Sequence, residues 1–545
     1  MDYWAKAPQL RGQMVLFASR LDEVIAPEHP VRVLDQILSR IDWSAWEAGY
    51  DLTRGQPPIH PRVLASVLLF GLLVRIRSSR ALEEALRVRL DFRWLAEGRS
   101  IDHTTLSEFR KRHPEALANL FIQMGLVARE LGLVTLTQLA FDGTRMRASS
   151  RRSRTRKVEE LAAARAALAA KYEELRAQTE AQDTADNEEE RLVGEGITEP
   201  TTGPTSQPAD PAEIAKQLAR IQHDLAALDG ALAEIQRVKA AGETVPTHIP
   251  LTDPQARVTP SKEGGFAPNY TPLATVDVAS GLVVGCDVIA MTNEEHHLVE
   301  QVDAVQQDFG LKEPVSEVLA DTRSLTGINL HALHERGVTL LAPSKQANPQ
   351  TNPARRADLS QPVPEDQRDR LPTKTTKHKD GTTTTQLTKD AFVYDKDNDC
   401  YWCPSGQPLK YRTATKDKQV GGTVTRTHYA ARANACAACP LREKCLTAKS
   451  DHREINRYEH DDLMEAHTQR MATDEAKQKY SARSHRGERP FAQVKHHFGA
   501  RGFLLRGLQK VRIEWNWLMT AFNLRTLITL LQPRPGPQTT VPAAP

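Results

Sequence analysis

The chain of 545 residues carries 72 Lys and Arg against 69 Asp and Glu, a formal net charge of +3, with 40% apolar and 26% charged residues. That length accommodates several domains and that balance is ordinary for a soluble protein, so bulk charge announces no nucleic-acid partner; the basic residues cluster locally instead, at Arg145–Lys157 and near the C-terminus. The longest apolar run, Val63–Val74, is too short to span a bilayer. The opening residues MDYWAKAPQL show no apolar signal-peptide segment. A cytoplasmic protein is expected, in which the six cysteines serve as metal ligands or free thiols rather than disulfides.

Residues 1–133 are expected to be all helical. Val31, Leu34, Ile37, Leu38 and Ile41 recur at helical spacing, and Val63–Val74 is apolar enough for a buried helix. Ser78 or Ser79 is placed to cap a helix running through Leu95. In SIDHTTLSEFRKRH, Thr105 and Glu108 fit a capping box, and Arg110, Lys111 and Arg112 follow. A short turn feeding a basic helix is a candidate DNA-docking unit; the plain alternative is a helical bundle with a solvated basic patch. Next, QLAFDGTRMRA predicts a short apolar strand through Leu136, Leu139, Ala140 and Phe141 that ends at Asp142. Gly143 lets the chain turn there, or lets a ligand approach. Taken alone, Asp142 reads as a turn residue of an Asp-Gly pair rather than as a metal ligand.

From Arg156 to about Val245 the pattern changes. Ile214, Leu218, Ile221, Leu225, Leu228, Leu232 and Ile235 alternate spacings of four and three, a heptad seam. Asp210, Pro211 and Glu213 form a helix start. Leu161, Leu168 and Leu175 repeat every seven upstream. We expect two long helices paired as a hairpin, or used for dimerisation, with Asp183–Pro211 disordered between them. Strand-like sequence resumes at Tyr270: Thr271–Asp277 and Leu282–Ile289 joined by a turn, a helix opened by Thr292 and Glu295, a strand Val315–Ala320 ending at Asp321, a helix over Leu325–Arg336 stopped by Gly337, and a strand Val338–Ala342.

Lys345–Thr388 reads as loop. Cys400-x-x-Cys403 and Cys436-x-x-Cys439 with Cys445 then give a zinc signal, because four thiolates suit tetrahedral zinc; five cysteines leave the ligand set open between Cys445 and Cys400. Cys286 falls in a core strand. The stretch YSARSHRGERPFAQVKHHFGARGFLLRGLQKVR, Tyr480–Arg512, carries the acid Glu488 among Arg483, Arg486, Arg489, Lys495, Arg501, Arg506, Lys510 and Arg512. Pro490 suits a first helical turn, and Glu488 and Lys495, seven apart, share a helix face. Leu508, Val511, Trp515, Leu518 and Phe522 form a core-facing stripe, and the chain beyond Pro533 reads as a disordered tail.

The order of strands and helices, with LAFDGTRMRA around Asp142, VLADTRSLTGINL around Asp321 and ERPFAQVKHHFGARGFLLRGLQKVR after Glu488, resembles the bacterial insertion-sequence DDE transposases, in the branch with a tyrosine–arginine–glutamate–lysine signature. Glu488 and Lys495 keep the six intervening residues of that signature, whereas the gap from Arg483 to Glu488 is four rather than three. The resemblance implies an α/β fold whose ribonuclease-H-like mixed-sheet core is made of residues 134–150, 256–343 and 476–533. An all-helical N-terminal domain (1–133), a helical coiled-coil insertion (151–255), a cysteine-rich zinc-binding-like insertion (344–475) and a tail (534–545) complete the expected layout. It further implies Asp142, Asp321 and Glu488 as catalytic carboxylates holding two Mg²⁺ (or Mn²⁺) ions, and a structural Zn²⁺ on Cys403, Cys436, Cys439 and Cys445. The implied partner is double-stranded DNA, both the element's terminal inverted repeats and the target, bound as a homodimer at the nucleoid and with no membrane. Phosphate contacts would come from Lys495, Arg483, Arg486, Arg489, Arg501, Arg506, Lys510, Arg110, Lys111 and Arg112. The rivals are a DNA-binding regulator or decayed transposase, which would have lost an acid, and a metal-dependent nuclease without strand transfer.

Overall fold

Three helices of the N-terminal region begin at a His-Pro dipeptide, where proline costs no hydrogen bond and holds the preceding residue out of the helix. They are Pro30–Leu38, Pro61–Leu73 and Pro114–Glu130. In the first two, Nδ1 of His29 and of His60 accepts from the backbone N–H of Val31 and Arg62. The computed structural model describes residues 20–51, 57–194, 211–261, 264–291, 293–378, 381–419 and 421–531; the expected C-terminal tail lies outside them.

Two local expectations for this region are corrected. The helix expected through Leu95 is split into Ser79–Val88 and Leu90–Leu95 by an extended Arg89. Asp91 accepts from Arg89 and from the N–H of Phe92, starting a new helix that turns Phe92 and Leu95 into the core. The helix His103–Arg112 is capped by Asp102, not Thr105: the Asp102 carboxylate accepts from the N–H groups of Thr104 and Thr105 and from the Thr105 hydroxyl, which holds its pKa down at about 2.

The central seven-stranded sheet is built around β1 (Gln138–Gly143), β2 (Phe266–Asp277), β3 (Val283–Ile289), β4 (Glu317–Leu319) and β5 (Thr339–Leu341). Its order is β3-β2-β1-β4-β5. The β3–β2 and β2–β1 pairs are antiparallel; β1–β4 and β4–β5 are parallel. Two short strands, Met146–Arg147 and Arg257–Pro260, extend along β2. β2 is buried along almost its whole length, so its sequence shows no alternation. The C-terminal helix Leu508–Leu531 crosses the sheet and is pinned to it: Asn523 bonds both the N–H and the C=O of Val283, and the Trp515 indole donates to the Leu273 carbonyl. The helix's other flank meets the N-terminal helices through the rings of Trp46, Phe109 and Trp517, so sheet and N-terminal helices share one apolar core.

The seam residues named above are buried or half-buried where the helix Pro211–Ala240 meets the helix Leu161–Gly194; Ile221, Leu228, Ala231 and Ile235 are the most enclosed. Arg154 pairs with Asp224, and Gln222 donates to the Tyr172 hydroxyl. The first of these helices continues through Asp183–Gly194, expected to be disordered, because that segment carries the helix formers Glu188, Glu189, Glu190, Arg191 and Leu192 and no proline; residues 195–210 lie outside the described set. Lys345–Thr388 is not all loop: Thr373–Lys377 and Thr383–Leu387 pair as a hairpin, favoured by β-branched threonines facing each other across it. A second, five-stranded antiparallel sheet runs from Val393 to Tyr458. Among the described residues, no helix is long and apolar enough to cross a membrane.

Glu514, on the C-terminal helix, clamps these parts together. It pairs with Arg77 at 2.7 Å and accepts from the backbone N–H groups of Leu504 and Leu505, with only 8% of its side chain exposed. Replacing it by alanine leaves an enclosed guanidinium and two N–H groups without their acceptor. Glu514→Ala should therefore cost on the order of 3–5 kcal/mol of stability, read as a lower midpoint in thermal unfolding followed by circular dichroism; an unchanged midpoint would show that the clamp carries no load.

Candidate active site

β1 and β4 run parallel, so their C-terminal ends lie side by side. Asp142 is the penultimate residue of β1, and Asp321 follows β4 by two residues. Asp321 closes a tight turn: its Oδ1 accepts from the N–H of Arg323 (2.9 Å) and Ser324 (3.1 Å) and faces the Ser324 hydroxyl at 3.4 Å. All three of these contacts fall on Oδ1. Glu488 is exposed and stands immediately before the short helix Arg489–Ala492. The preceding Gly487 is buried, with room for a Cβ only 3.5 Å from that of Ala140 on β1; this close approach brings Glu488 to the end of the sheet. Burial pushes the Asp142 carboxyl above its ordinary range, Arg483 pulls it back, and the charges of Glu488 and Asp321 raise it again. The three acids thus lie within electrostatic reach of one another.

Arg483 Nη2 donates to Asp142 Oδ1 at 2.9 Å, and both side chains are nearly enclosed. Burial works against the arginine's charge, but Asp142, Tyr480, Asp321 and Glu488 more than restore it. Tyr480 stands beside Arg483, its phenol pushed upward by burial. Lys495 donates to the Thr144 hydroxyl (2.7 Å) and the Arg145 carbonyl (3.3 Å), which fixes it beside the strand end that bears Asp142. The continuous α-helix expected from Glu488 is instead a short α segment followed by a π-helical turn over Gln493–His497, ended by Gly499 at φ +67°. Such turns add a residue to the helix and re-aim its side chains, here Lys495.

Sequence reasoning missed two residues here. Glu294 had no motif to mark it. It lies in the turn Glu294–His297 after β3, and its carboxylate rests over Gly143. Burial, then the charges of Asp142 and Asp321, push its pKa up to about 7. Asn329, from the helix Gly327–Glu335, donates to the carbonyls of Glu295 (2.8 Å) and Ser324 (2.9 Å), tying the turn of Glu294 to the turn of Asp321. The GIN triplet that supplies it reads as an ordinary helix start.

The basic residues divide by position. Arg501, Arg506 and Lys510 are exposed, with Arg506 also anchored on the Ser149 carbonyl. Arg486 and Arg489 fold over Gly281. In the N-terminal helix, Arg112 is exposed and Lys111 pairs with Glu108 at 3.3 Å. Arg110 turns inward, where burial lowers its pKa beside Glu514, an orientation that does not suit a phosphate contact.

Four cysteines share one place in the second sheet's domain. Cys403, Cys436, Cys439 and Cys445 line a cavity of about 30 Å³, and Gln407 N–H donates to Cys403 Sγ at 3.3 Å. Burial pushes Cys445 up to about 11, and the other three thiols add to the shift. Cys400 is buried in the adjacent strand and does not line the cavity. Cys286 sits in β3 with its Sγ 3.8 Å from Asn516 Oδ1. Among the described residues, no group of three or more His, Cys, Asp or Glu side chains is drawn together to hold a metal ion, at the carboxylates or at the cysteines.

Residues 402–528 match the family described as Transposase DDE domain, and residues 19–112 match the family described as Transposase domain (DUF772). Both matched families are transposase domains, so over these two regions the chain is similar to insertion-sequence DDE transposases, a class that acts on DNA by nucleotidyl transfer. The first match takes in Glu488 and the four clustered cysteines but neither aspartate. No curated protein matches the chain.

The Asn329 bridge can be tested without any assay of function. Asn329→Ala removes the donor shared by the Glu295 and Ser324 carbonyls, the second of which keeps the Thr326 N–H, and should lower the unfolding free energy by about 1–2 kcal/mol, measured by urea denaturation; a loss below about 0.5 kcal/mol would mean that water or rearrangement replaces the bridge.

Proposed function

We propose that the chain cleaves phosphodiester bonds at the ends of an insertion sequence and joins the freed 3′-hydroxyl to target DNA, with Asp142, Asp321 and Glu488 as the catalytic carboxylates. The observation that carries this reading is the convergence of three acids, 346 positions apart from first to last, at one end of the sheet. The β3-β2-β1-β4-β5 order, with the antiparallel and parallel pairs described above, supports a ribonuclease-H-like core made of residues 134–150, 256–343 and 476–533.

DDE transposases use divalent cations in general. The donors here suit Mg²⁺ or Mn²⁺, because carboxylate oxygens alone make a hard site, and the like charges of Asp142, Asp321 and Glu488 call for a counter-cation. When bound, such ions activate the attacking hydroxyl and stabilise the leaving oxygen. The chain's own residues do the rest. Asp321 is pre-set by the Arg323–Ser324 backbone through its Oδ1. Arg483 neutralises Asp142 until a cation takes that role. Lys495 and Tyr480 flank the acids, positioned to orient a phosphate. The exposed Arg501, Arg506 and Lys510 extend a basic track away from the acids.

Asp142→Asn, Asp321→Asn and Glu488→Gln each remove a charge with little change of size. Each should abolish Mg²⁺-dependent nicking of a labelled terminal fragment, and the double variants should be no worse than the singles, because groups acting as a unit fail together. Gel-shift affinity for that fragment should persist. Wild-type nicking by Glu488→Gln would remove it from the site. At the second cluster we propose a structural zinc on Cys403, Cys436, Cys439 and Cys445. Freshly purified, reduced protein should contain about one zinc per chain by elemental analysis, and Cys439→Ser should lose it; zinc-free wild type would refute the assignment.

A further inference from the structure

We propose that Glu294 is a fourth carboxylate of the cation-binding cluster and that Gly143 is glycine in order to admit it. The proposal rests on the reading of Asp142 and Asp321 as cation ligands and adds a residue to it. Gly143 directly follows Asp142. Its φ is not in the left-handed region, so backbone conformation does not demand glycine. Space does: a Cβ at position 143 would fall 2.1 Å from Glu294 Oε2 and 3.0 Å from its Cδ. The missing side chain is the cradle in which this carboxylate lies.

An acid on the first turn after a strand ordinarily points to water, where its charge is solvated. Glu294 instead lies half-buried with its carboxylate over Gly143, next to Asp142 in the chain, and within electrostatic reach of Asp142, Asp321 and its neighbour Glu295, with Arg323 as an opposing charge. Gathering like charges away from water is unfavourable unless a cation joins them. The backbone of the turn is also held in place: Asn329 donates to the carbonyls of Glu295 and Ser324, which ties the Glu294 turn to the Asp321 turn. Glycine, turn and asparagine therefore converge on presenting one carboxylate to the ends of β1 and β4.

The test is Mn²⁺ binding to the full chain without DNA, read from the electron paramagnetic resonance signal of free Mn²⁺ during titration. Glu294→Gln is close to isosteric and should weaken Mn²⁺ affinity about ten-fold or more. Gly143→Ala should do the same by displacing Glu294 from its cradle. Asp142→Asn should bind still more weakly, while Glu300→Gln, an exposed acid on the next helix, should match wild type. If Glu294→Gln binds like wild type and Asp142→Asn does not, the fourth-ligand proposal is overturned and the three-acid reading stands. If Asp142→Asn also binds like wild type, both fall.

Discussion

Carboxylates repel one another, and the cost rises as water is withdrawn. A chain that brings Asp142, Asp321, Glu488 and Glu294 to one end of a buried sheet needs a compensating positive charge there. Arg483 supplies it in this structure through one hydrogen bond to Asp142. Much of the surrounding architecture serves to enforce that crowding. Parallel pairing of β1 and β4 sets the two aspartates side by side, the buried Gly487 brings the glutamate helix against β1, and the crossing helix Leu508–Leu531 locks that arrangement to β3 and to the N-terminal helices.

The N-terminal helices are consequently not a loosely tethered module. Arg77 reaches the carbonyls of Gly499 and Gly502 as well as Glu514, so the first hundred residues brace the loop that follows the Lys495 turn. This ties the first family-matched region to the C-terminal part of the second, around Gly499–Glu514, in one packed core although the two are far apart in sequence. Each of the two insertions has its own small apolar cluster and is joined to this core by hydrogen bonds such as those of Asp253 with Tyr270 and Gly507 and of His467 with the Ala342 carbonyl.

Much of this was legible in the chain. The apolar run at Val63–Val74, the strands around Asp142 and Asp321 and the stripe Leu508–Phe522 all form the elements their periodicity predicts, because each buries a continuous face. Local punctuation was harder to read. Asp102 outcompetes Thr105 as a cap because it accepts from two backbone N–H groups and the Thr105 hydroxyl at once. Arg89 breaks a helix that propensity would continue. The threonine-rich Thr373–Leu387 forms a ribbon although it has no apolar face to announce it. Glu294 and Asn329 were invisible for a different reason: their importance lies in what the fold sets beside them, Gly143 in one case and two turn carbonyls in the other. Arg110 failed in the opposite sense, since a basic run on a helix does not reveal which member faces inward.

The central claim is that acids distant in sequence form one cation site at the ends of β1 and β4. Anomalous diffraction from crystals soaked in Mn²⁺ tests it most directly. The account predicts a manganese peak bound by Asp142 and Asp321, with Arg483 withdrawn from Asp142 and Glu488 at its edge. Saturating Mn²⁺ with no peak at those carboxylates, and Arg483 still bonded to Asp142, would contradict it.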